Sequence, residues 1–117
     1  MHYIDGFVVA VPDDQRDIYV RYAGEAARVF KEYGALRVVE CWGDDVPEGK
    51  LTSFPMAVKR EPGESVVFAW IVWPDKATRD AGHRNMEADP RVQHTMKTMP
   101  FDGKRMIYGG FQTVVDV

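Results

Sequence analysis

The chain has 117 residues, a hydrophobic content of 45% and a formal net charge of −3, which together indicate one soluble domain with an ordinary core. Its lysines and arginines are scattered and mostly stand beside acidic residues, so the basic patch of a nucleic-acid-binding surface is not expected. The longest apolar run, residues 66–73, is far too short to cross a membrane.

The single cysteine, Cys41, excludes an internal disulfide, and its apolar neighbours favour a small core residue over a nucleophile. A lone thiol suits a reducing compartment. Residues 1–12 lack the basic region and the cleavage-site pattern of a signal peptide. We therefore expect a cytoplasmic protein whose single domain spans residues 1–117.

The first half of the chain predicts a strand, a helix and a second strand. Residues 3–11, YIDGFVVAV, are rich in aromatic and β-branched side chains. Asp13 or Asp14 can cap the next helix and Gly34 can end it. The apolar stripe of this helix comprises Ile18, Tyr22, Ala26, Val29 and Tyr33, widened by Tyr19, Ala23 and Phe30. Residues 36–42, LRVVECW, then predict the second strand.

The middle of the chain contains one ambiguous segment. Residues 51–59 form either a short strand near residues 56–58, paired as a hairpin, or a single helical turn. The sequence EPG at residues 61–63 indicates a type II turn. Residues 66–73, VVFAWIVW, predict a third strand.

The last part of the chain predicts helices and a final strand. Asp75 can cap a helix over residues 76–89. The buried side of that helix would consist of Ala77, Ala81 and Ala88. A short helix with Val92, Met96 and Met99 at helical spacing follows. Residues 104–117 then predict the last strand.

The resulting element order, βαββαβ, is that of the ferredoxin-like motif, an α+β fold with a four-stranded antiparallel sheet and both helices on one face. The strands do not alternate apolar with polar residues, and in residues 66–73 both faces are apolar. The chain offers no further element to cover the second face. We therefore expect a homodimer in which the sheet of a second copy covers it.

Two adjacent glycines, Gly109 and Gly110, interrupt the last strand, where glycine costs backbone entropy and brings no side chain to pack. We interpret both as structural glycines. They would let a partner chain approach the strand, or relieve the strand where it bends around that partner.

Five runs carry a resemblance to a known family: DGFVVAVP at residues 5–12, GALRVVECW at 34–42, MAVK at 56–59, VVFAWI at 66–71 and MPFDGKRMIYGGF at 99–111. Through them the chain resembles, nearly end to end, the YbaA-like domain of unknown function, a small bacterial family. The resemblance implies membership of the dimeric α/β-barrel superfamily, in which two ferredoxin-like units pack sheet to sheet. Relatives there include cofactor-free monooxygenases, haem-degrading enzymes and small isomerases. The resemblance brings no established activity and no catalytic residues.

Polar side chains within apolar strands are the first candidates for a site, because the interior of a barrel is where a ligand would bind. Asp5 shares a strand face with Tyr3 and Phe7, Glu40 with Val38 and Trp42, and Arg105 with Ile107 and Phe111. In a cavity without a cation, Glu40 or Asp5 would have a raised pKa and could act as a general base. The alternative is a structural ion pair with Arg37 or Arg105.

The aromatic residues Trp42, Trp70, Tyr108 and Phe111, together with Arg105, line either a pocket for a flat molecule or the core and the dimer interface. Asp80, His83 and Glu87 recur at helical spacing and have metal-binding side chains, but a solvated helix face is the better interpretation. The chain has no phosphate-binding glycine loop, no nucleophile elbow and no pair of neighbouring cysteines. We expect neither a metal nor a cofactor.

Three functions remain open. The first is the binding of a small, partly aromatic molecule inside a homodimeric barrel. The second is an enzyme of the cofactor-independent monooxygenase or isomerase type, and the third is a structural or stress-associated dimeric module. An RNA-binding role is disfavoured, because sheet aromatics would lack a basic setting.

Overall fold

The computed structural model describes all 117 residues and contains one four-stranded antiparallel sheet with the strand order β2-β3-β1-β4. The strands are β1 (Tyr3–Pro12), β2 (Arg37–Trp42), β3 (Glu64–Trp73) and β4 (Ile107–Gln112). The helices are α1 (Arg16–Glu32), α2 (Phe54–Ala57), α3 (Lys76–Glu87) and α4 (Pro90–Lys97), and 3-10 turns lie at Asp13–Gln15 and Gly103–Arg105. This order and pairing confirm the ferredoxin-like fold. The sheet is open, with β2 and β4 as its edges.

The chain enters α1 through a 3-10 turn and not through a side-chain cap. Neither Asp13 nor Asp14 accepts a hydrogen bond from the first turn of the helix. Asp13 instead accepts one from the hydroxyl of Ser65 on β3. The predicted caps are therefore wrong, because this carboxylate ties the turn to the sheet.

The buried face of α1 differs from the predicted stripe. Tyr19 and Ala23 are buried against β1 and β3, whereas Ile18 is 47% exposed. The residues that were expected to widen the stripe thus form its centre. The helix ends before Gly34 as predicted, and the φ of +111° at Gly34 suits glycine.

The third helix begins as predicted and packs differently. Asp75 accepts a hydrogen bond of 2.7 Å from the backbone N–H of Thr78. The buried residues of α3 are Gly82 and Met86, and not the three alanines. A Cβ at Gly82 would lie 2.9 Å from the ring of Trp73, so glycine at this position allows α3 to approach the sheet closely.

Residues 51–59 form the helical turn α2, so the hairpin alternative is wrong. Ser53 caps this turn by accepting a hydrogen bond of 3.1 Å from the backbone N–H of Met56. Just beyond the turn, Val58 is fully buried on the side of the sheet opposite α1 and α3. It packs there against Val8, Ala10 and Val66. We expected that this chain has no element to cover the second face of the sheet. That expectation is wrong for the half of the face on which Val58 packs.

The other half of the second face is uncovered, and we call it the open face. It presents apolar side chains from all four strands: Ile4, Val39, Phe68, Trp70, Val72, Ile107 and Phe111. Phe68 and Trp70 pack with ring centroids 5.5 Å apart. Phe111 remains 59% exposed. Cys41 also lies on this side and is exposed, so the expectation of a core cysteine is wrong.

The last strand is shorter than residues 104–117, because an ion pair turns the chain before it. Arg105 lies in the 3-10 turn and binds both carboxylate oxygens of Glu64 at 2.7 and 2.8 Å. It also donates a hydrogen bond to the backbone oxygen of Lys59. Arg105 therefore does not share a strand face with Ile107 and Phe111, and that prediction is wrong.

A polar network fixes α4 against the end of α1. Asp89 caps α4 through the backbone N–H of Arg91 at 2.8 Å and accepts a hydrogen bond of 2.7 Å from the hydroxyl of Tyr33. Arg91 also binds Glu32 at 2.6 Å. Because Arg91 and Tyr33 donate hydrogen bonds to Asp89, its pKa lies far below the ordinary value. The network places α4 over one end of the space between helices and sheet.

Candidate functional site

A cavity of about 340 Å³ lies between the sheet and the helices. Side chains from all four strands form its floor, and α1, α3 and the segment 96–106 form its roof. Most of the lining is apolar, including Phe7, Ala26, Phe30, Met96, Met99 and Tyr108. A second cavity of about 280 Å³ adjoins it beside β2, and Tyr19, Ala27 and Glu40 line both cavities. This volume and lining are typical of small-molecule sites.

The first polar group of the cavity, which we call the Asp5 cluster, comprises Asp5, Trp73, Arg79 and His83. Asp5 is buried on β1 and accepts a hydrogen bond of 2.9 Å from Nε1 of Trp73. Arg79 on α3 donates to Asp5 Oδ1 from Nε at 3.0 Å and from Nη2 at 2.8 Å. His83 Nε2 lies 2.9 Å from Asp5 Oδ2. The cluster thus joins β1, β3 and α3.

The electrostatics of the Asp5 cluster favour an ionised carboxylate. Burial alone would raise the pKa of Asp5, but the hydrogen bonds and charges of His83 and Arg79 outweigh it and hold that pKa below its ordinary value. His83 Nε2–H thus donates to Asp5 Oδ2, and the carboxylate fixes the orientation of the imidazole ring. An imidazole fixed in this way at a cavity wall can exchange a proton with a bound molecule.

The second polar group lies at the β2 edge and consists of Glu40 and Tyr19. The Tyr19 hydroxyl donates a hydrogen bond of 2.6 Å to Glu40 Oε1. Because β2 is an edge strand, Glu40 as a residue stays exposed, while α1 packs over its carboxyl group. That packing raises the pKa of Glu40, and the hydrogen bond from Tyr19 only partly offsets the effect. Glu40 forms no salt bridge.

Aromatic rings surround this second group. Tyr19 lies 6.1 Å from Tyr22, 6.3 Å from Trp42 and 5.8 Å from Phe101, measured between ring centroids. Burial and the charge of Glu40 raise the pKa of Tyr22 to about 12 and that of Tyr19 further. Both phenols are therefore neutral hydrogen-bond donors at physiological pH.

Each predicted carboxylate has a different partner from the one expected. Asp5 pairs with Arg79 and His83, and Glu40 pairs with no base, so neither binds Arg37 or Arg105. Both lie on the helix-covered side of the sheet. They therefore do not line a space between two packed sheets, which is where the sequence placed the ligand.

The predicted aromatic residues divide between the two sides of the sheet. Trp42 and Tyr108 lie on the helix-covered side, and Tyr108 lines the cavity while being 76% exposed. Trp70 and Phe111 lie on the open face. Arg105 lies outside the cavity, in its ion pair with Glu64. Sequence reasoning could not separate the two groups, because every one of these strands is apolar on both faces.

The paired glycines have two different surroundings. Gly110 faces the Asp5 cluster, and a Cβ there would lie 2.5 Å from the Tyr3 hydroxyl and 2.8 Å from Nη2 of Arg79. Gly109 has ordinary room for a Cβ, beside the ring of Phe111. Neither has a positive φ. Close approach within the chain thus explains Gly110, whereas Gly109 makes no such contact within the chain, and its role in letting a partner chain approach stays a prediction.

Sequence reasoning missed Arg79, His83 and Tyr19 as members of the site. His83 was grouped with Asp80 and Glu87 by helical spacing, but it contacts Asp5, while Asp80 binds Lys76 at 2.7 Å. The structure has no group of three or more His, Cys, Asp or Glu side chains arranged to hold a metal ion. One available signal was the spacing of Arg79 and His83, four residues apart, which places both on one side of a helix.

Comparison with known proteins places the chain in a family and a fold. The uncharacterised protein YbaA of Escherichia coli K12 is 59% identical over 116 residues, covering 99% of each chain, and YbaA of Shigella flexneri matches equally. A crystal structure of a dimeric ferredoxin-like protein from an uncultured marine organism has a TM-score of 0.61 at 12% identity. That match covers 99% of this chain and 98% of the other, and it shows the fold alone.

No helix in the structure combines the length and the apolar character needed to span a bilayer. The model of the family described as a protein of unknown function, DUF1428, matches residues 2–103. Together with the near full-length identity to YbaA, this match shows that the chain belongs to the DUF1428 family.

Proposed function

We propose that the protein binds a small, partly aromatic molecule in the cavity between its helices and its sheet. The observation that carries the proposal is the cavity of about 340 Å³, whose apolar walls enclose two separate polar groups. Apolar walls supply affinity through burial, and a few fixed polar groups supply orientation. Three methionines, Met96, Met99 and Met106, line one wall, and their flexible thioethers adapt to ligand shape.

We further propose that the protein acts as a cytoplasmic homodimer joined through the open face. The solved ferredoxin-like neighbour is described as dimeric. In this chain Phe68 and Phe111 are 44% and 59% exposed, and Trp70 packs beside Phe68. Burying one such side chain contributes about 1.5–3 kcal/mol, so a second copy gains a large stabilisation by covering them.

A cavity-filling variant tests the binding proposal. Ala27 lines both cavities, and Ala27→Phe would place a ring in them. A panel of small aromatic molecules is screened by ligand-observed NMR, with Ala77→Phe on the exposed part of α3 as the matched control. We expect saturable binding to the wild type and to Ala77→Phe, and loss of binding in Ala27→Phe. Equal binding to all three proteins would contradict the cavity site, and absence of any binding would favour a structural module.

A second candidate function is proton transfer, favoured by the contact between Asp5 and His83. The carboxylate holds the imidazole of His83 at the cavity wall, where the ring can exchange a proton with a bound molecule. Deuterium exchange of phenylacetone in D₂O provides a probe of this chemistry. We expect His83→Gln to abolish any exchange above background, while Glu25→Gln on the exposed face of α1 leaves it unchanged. Exchange that survives in His83→Gln would exclude His83 as the base.

A further inference from the structure

Among the carboxylates that pack against other parts of the chain, one has no counter-ion. Asp5, Glu64 and Asp89 have side chains that are 11%, 8% and 8% exposed, and each binds an arginine at 2.7–2.9 Å. Glu40, packed beneath α1, has only the neutral hydroxyl of Tyr19. Glu40 is exposed as an edge-strand residue, but the packing of α1 over its carboxyl group removes part of the water around that charge without supplying a cation, which raises its pKa.

The rings around Glu40 are suited to a cation. Tyr19, Tyr22 and Phe101 lie 5.8–6.1 Å from one another, and Trp42 closes the group from β2. Aromatic faces attract ammonium groups, most strongly where water is partly excluded. Trp42 already has a cation beside it, because the guanidinium carbon of Arg16 lies 5.3 Å from the centroid of its ring. Arg16 nevertheless makes no ion pair with Glu40.

We propose that Glu40 and the surrounding aromatic rings bind the protonated amino group of an arylalkylamine whose apolar body occupies the cavity. This inference rests on the proposed function and assigns the chemical class of the ligand. The position of Glu40 on an edge strand fits the arrangement, since the charged group of the ligand keeps partial contact with water while its ring enters the apolar space.

The remaining charges of the cavity argue against other ligand classes. An anionic ligand would meet Glu40 and find no free base, because Arg79 is engaged by Asp5 and Asp80. A neutral alcohol could donate to Glu40 but would leave its charge uncompensated. An ammonium group supplies both the hydrogen-bond donors and the missing positive charge.

Three probe molecules of equal shape separate these classes: 2-phenylethylamine, 2-phenylethanol and 3-phenylpropionate. Dissociation constants are measured by titration calorimetry and ligand-observed NMR at pH 7 with the full-length wild type. We expect the amine to bind about tenfold tighter than the alcohol, and the carboxylate to bind weakest. The same three titrations are then repeated on Glu40→Gln and on Glu25→Gln, which removes an equal charge from the exposed face of α1.

Glu40→Gln should remove the preference for the amine and leave the alcohol unchanged, while Glu25→Gln should behave as the wild type. We expect the Gln variant to fold, since it removes a carboxylate whose raised pKa destabilises the folded protein at neutral pH, and circular dichroism checks this. Independently of any variant, the amine preference of the wild type should fall on acidification as Glu40 becomes protonated, and because the pKa of Glu40 is raised the fall should begin at a higher pH than for an ordinary glutamate. The alcohol serves as the reference for pH effects from the other ionisable groups facing the cavity, namely Tyr19, Tyr22, Asp5, Arg79, His83 and Tyr108.

Several results would overturn the inference. If the alcohol binds as tightly as the amine, Glu40 is not a cation site, although the cavity remains a binding site. If none of the three probes binds, and the panel of aromatic molecules also fails to distinguish Ala27→Phe from the wild type, the proposed function itself fails. If Glu40→Gln dissociates the dimer in sedimentation, a base of the second copy is the missing partner and the ligand assignment is wrong.

Discussion

At the scale of single residues, Asp5 and Glu40 show how position decides the state of a carboxylate. Both project from the same side of one sheet. Asp5 faces α3, which supplies Arg79 and His83, so its pKa falls. Glu40 faces α1, which supplies only Tyr19, so its pKa rises. Opposite shifts within one cavity are a recurrent property of functional sites.

Asp5→Asn is predicted to lower the free energy of unfolding by about 3 kcal/mol, because it removes the more buried of the two carboxylates that bind Arg79 and leaves the guanidinium only its contact with Asp80. Since the pKa of Asp5 is depressed in the folded state, its contribution is complete above about pH 5, about one unit above the unfolded pKa, and is lost as the pH falls through the folded value. Urea unfolding from pH 2 to 8 measures both effects. The variant should therefore show a smaller loss of stability on acidification.

Asp80→Asn provides the control for this series, because Asp80 binds Lys76 and Arg79 on the exposed side of α3. A much smaller change than that of Asp5→Asn is expected. Equal effects of the two substitutions would mean that the Asp5 cluster has no special role in stability.

Gly110→Ala is predicted to destabilise the protein by about 1–2 kcal/mol, because the added methyl group must displace Tyr3 or move Arg79 away from Asp5. Gly109→Ala is the matched control, and its added methyl group has ordinary room. It should change stability by less than about 1 kcal/mol, in the stabilising direction, through the entropy of the unfolded chain. Thermal unfolding of both variants decides the matter, and the reverse order would refute the role given to Gly110.

At the scale of elements, α2 has the largest effect on the surface of the molecule. The helical turn and the residue after it cover one half of the second sheet face through Val58. A short segment with one cap at Ser53 thus performs the role that was expected of a second chain. Only the other half of that face is left for a partner.

Val58→Ala is predicted to lower the free energy of unfolding by about 1–3 kcal/mol, since the residue is fully buried against Val8 and Val66. Met56→Ala, in the same turn but 42% exposed, should stay within about 0.5 kcal/mol of the wild type. Chemical denaturation compares the two. Similar small losses in both variants would mean that α2 is not packed on the sheet.

The long elements and their order could be predicted from the sequence, whereas their contacts could not. Strand composition and the Asp75 cap located β1, β3 and α3, because these signals are local. The choice of helical turn for residues 54–57 depends on packing against β1 and β3, which no local pattern reports. Asp5 and Glu40 stand out in the sequence as polar residues within apolar strands. Their partners lie on helices, and the sequence does not determine how each helix is rotated about its axis and therefore which side chains it turns toward the sheet.

At the scale of the whole molecule, the open face is the surface through which we propose that the protein associates. Trp70 and Phe111 lie on neighbouring parts of this face, and neither is buried. Trp70→Glu is predicted to shift the homodimer toward monomer, because a charge would have to be buried at the interface. Sedimentation equilibrium at micromolar concentration measures the shift.

Ile18→Glu on the exposed surface of α1 is the matched control for Trp70→Glu. It should leave the association state unchanged. A wild-type protein that is a stable monomer at these concentrations would contradict dimerisation through the open face, whatever the behaviour of the two variants.

The sheet is a single layer, and this has a thermodynamic consequence for its two faces. Along β1, Ile4 belongs to the open face, while the next residue, Asp5, belongs to the polar cluster under α3. If β1 moves toward the helices, it moves away from a partner on the open face. In the proposed homodimer with the proposed ligand, self-association and occupancy of the cavity would act on the same strand, and by reciprocity a ligand that strengthens the dimer would be bound more tightly by the dimer than by the monomer.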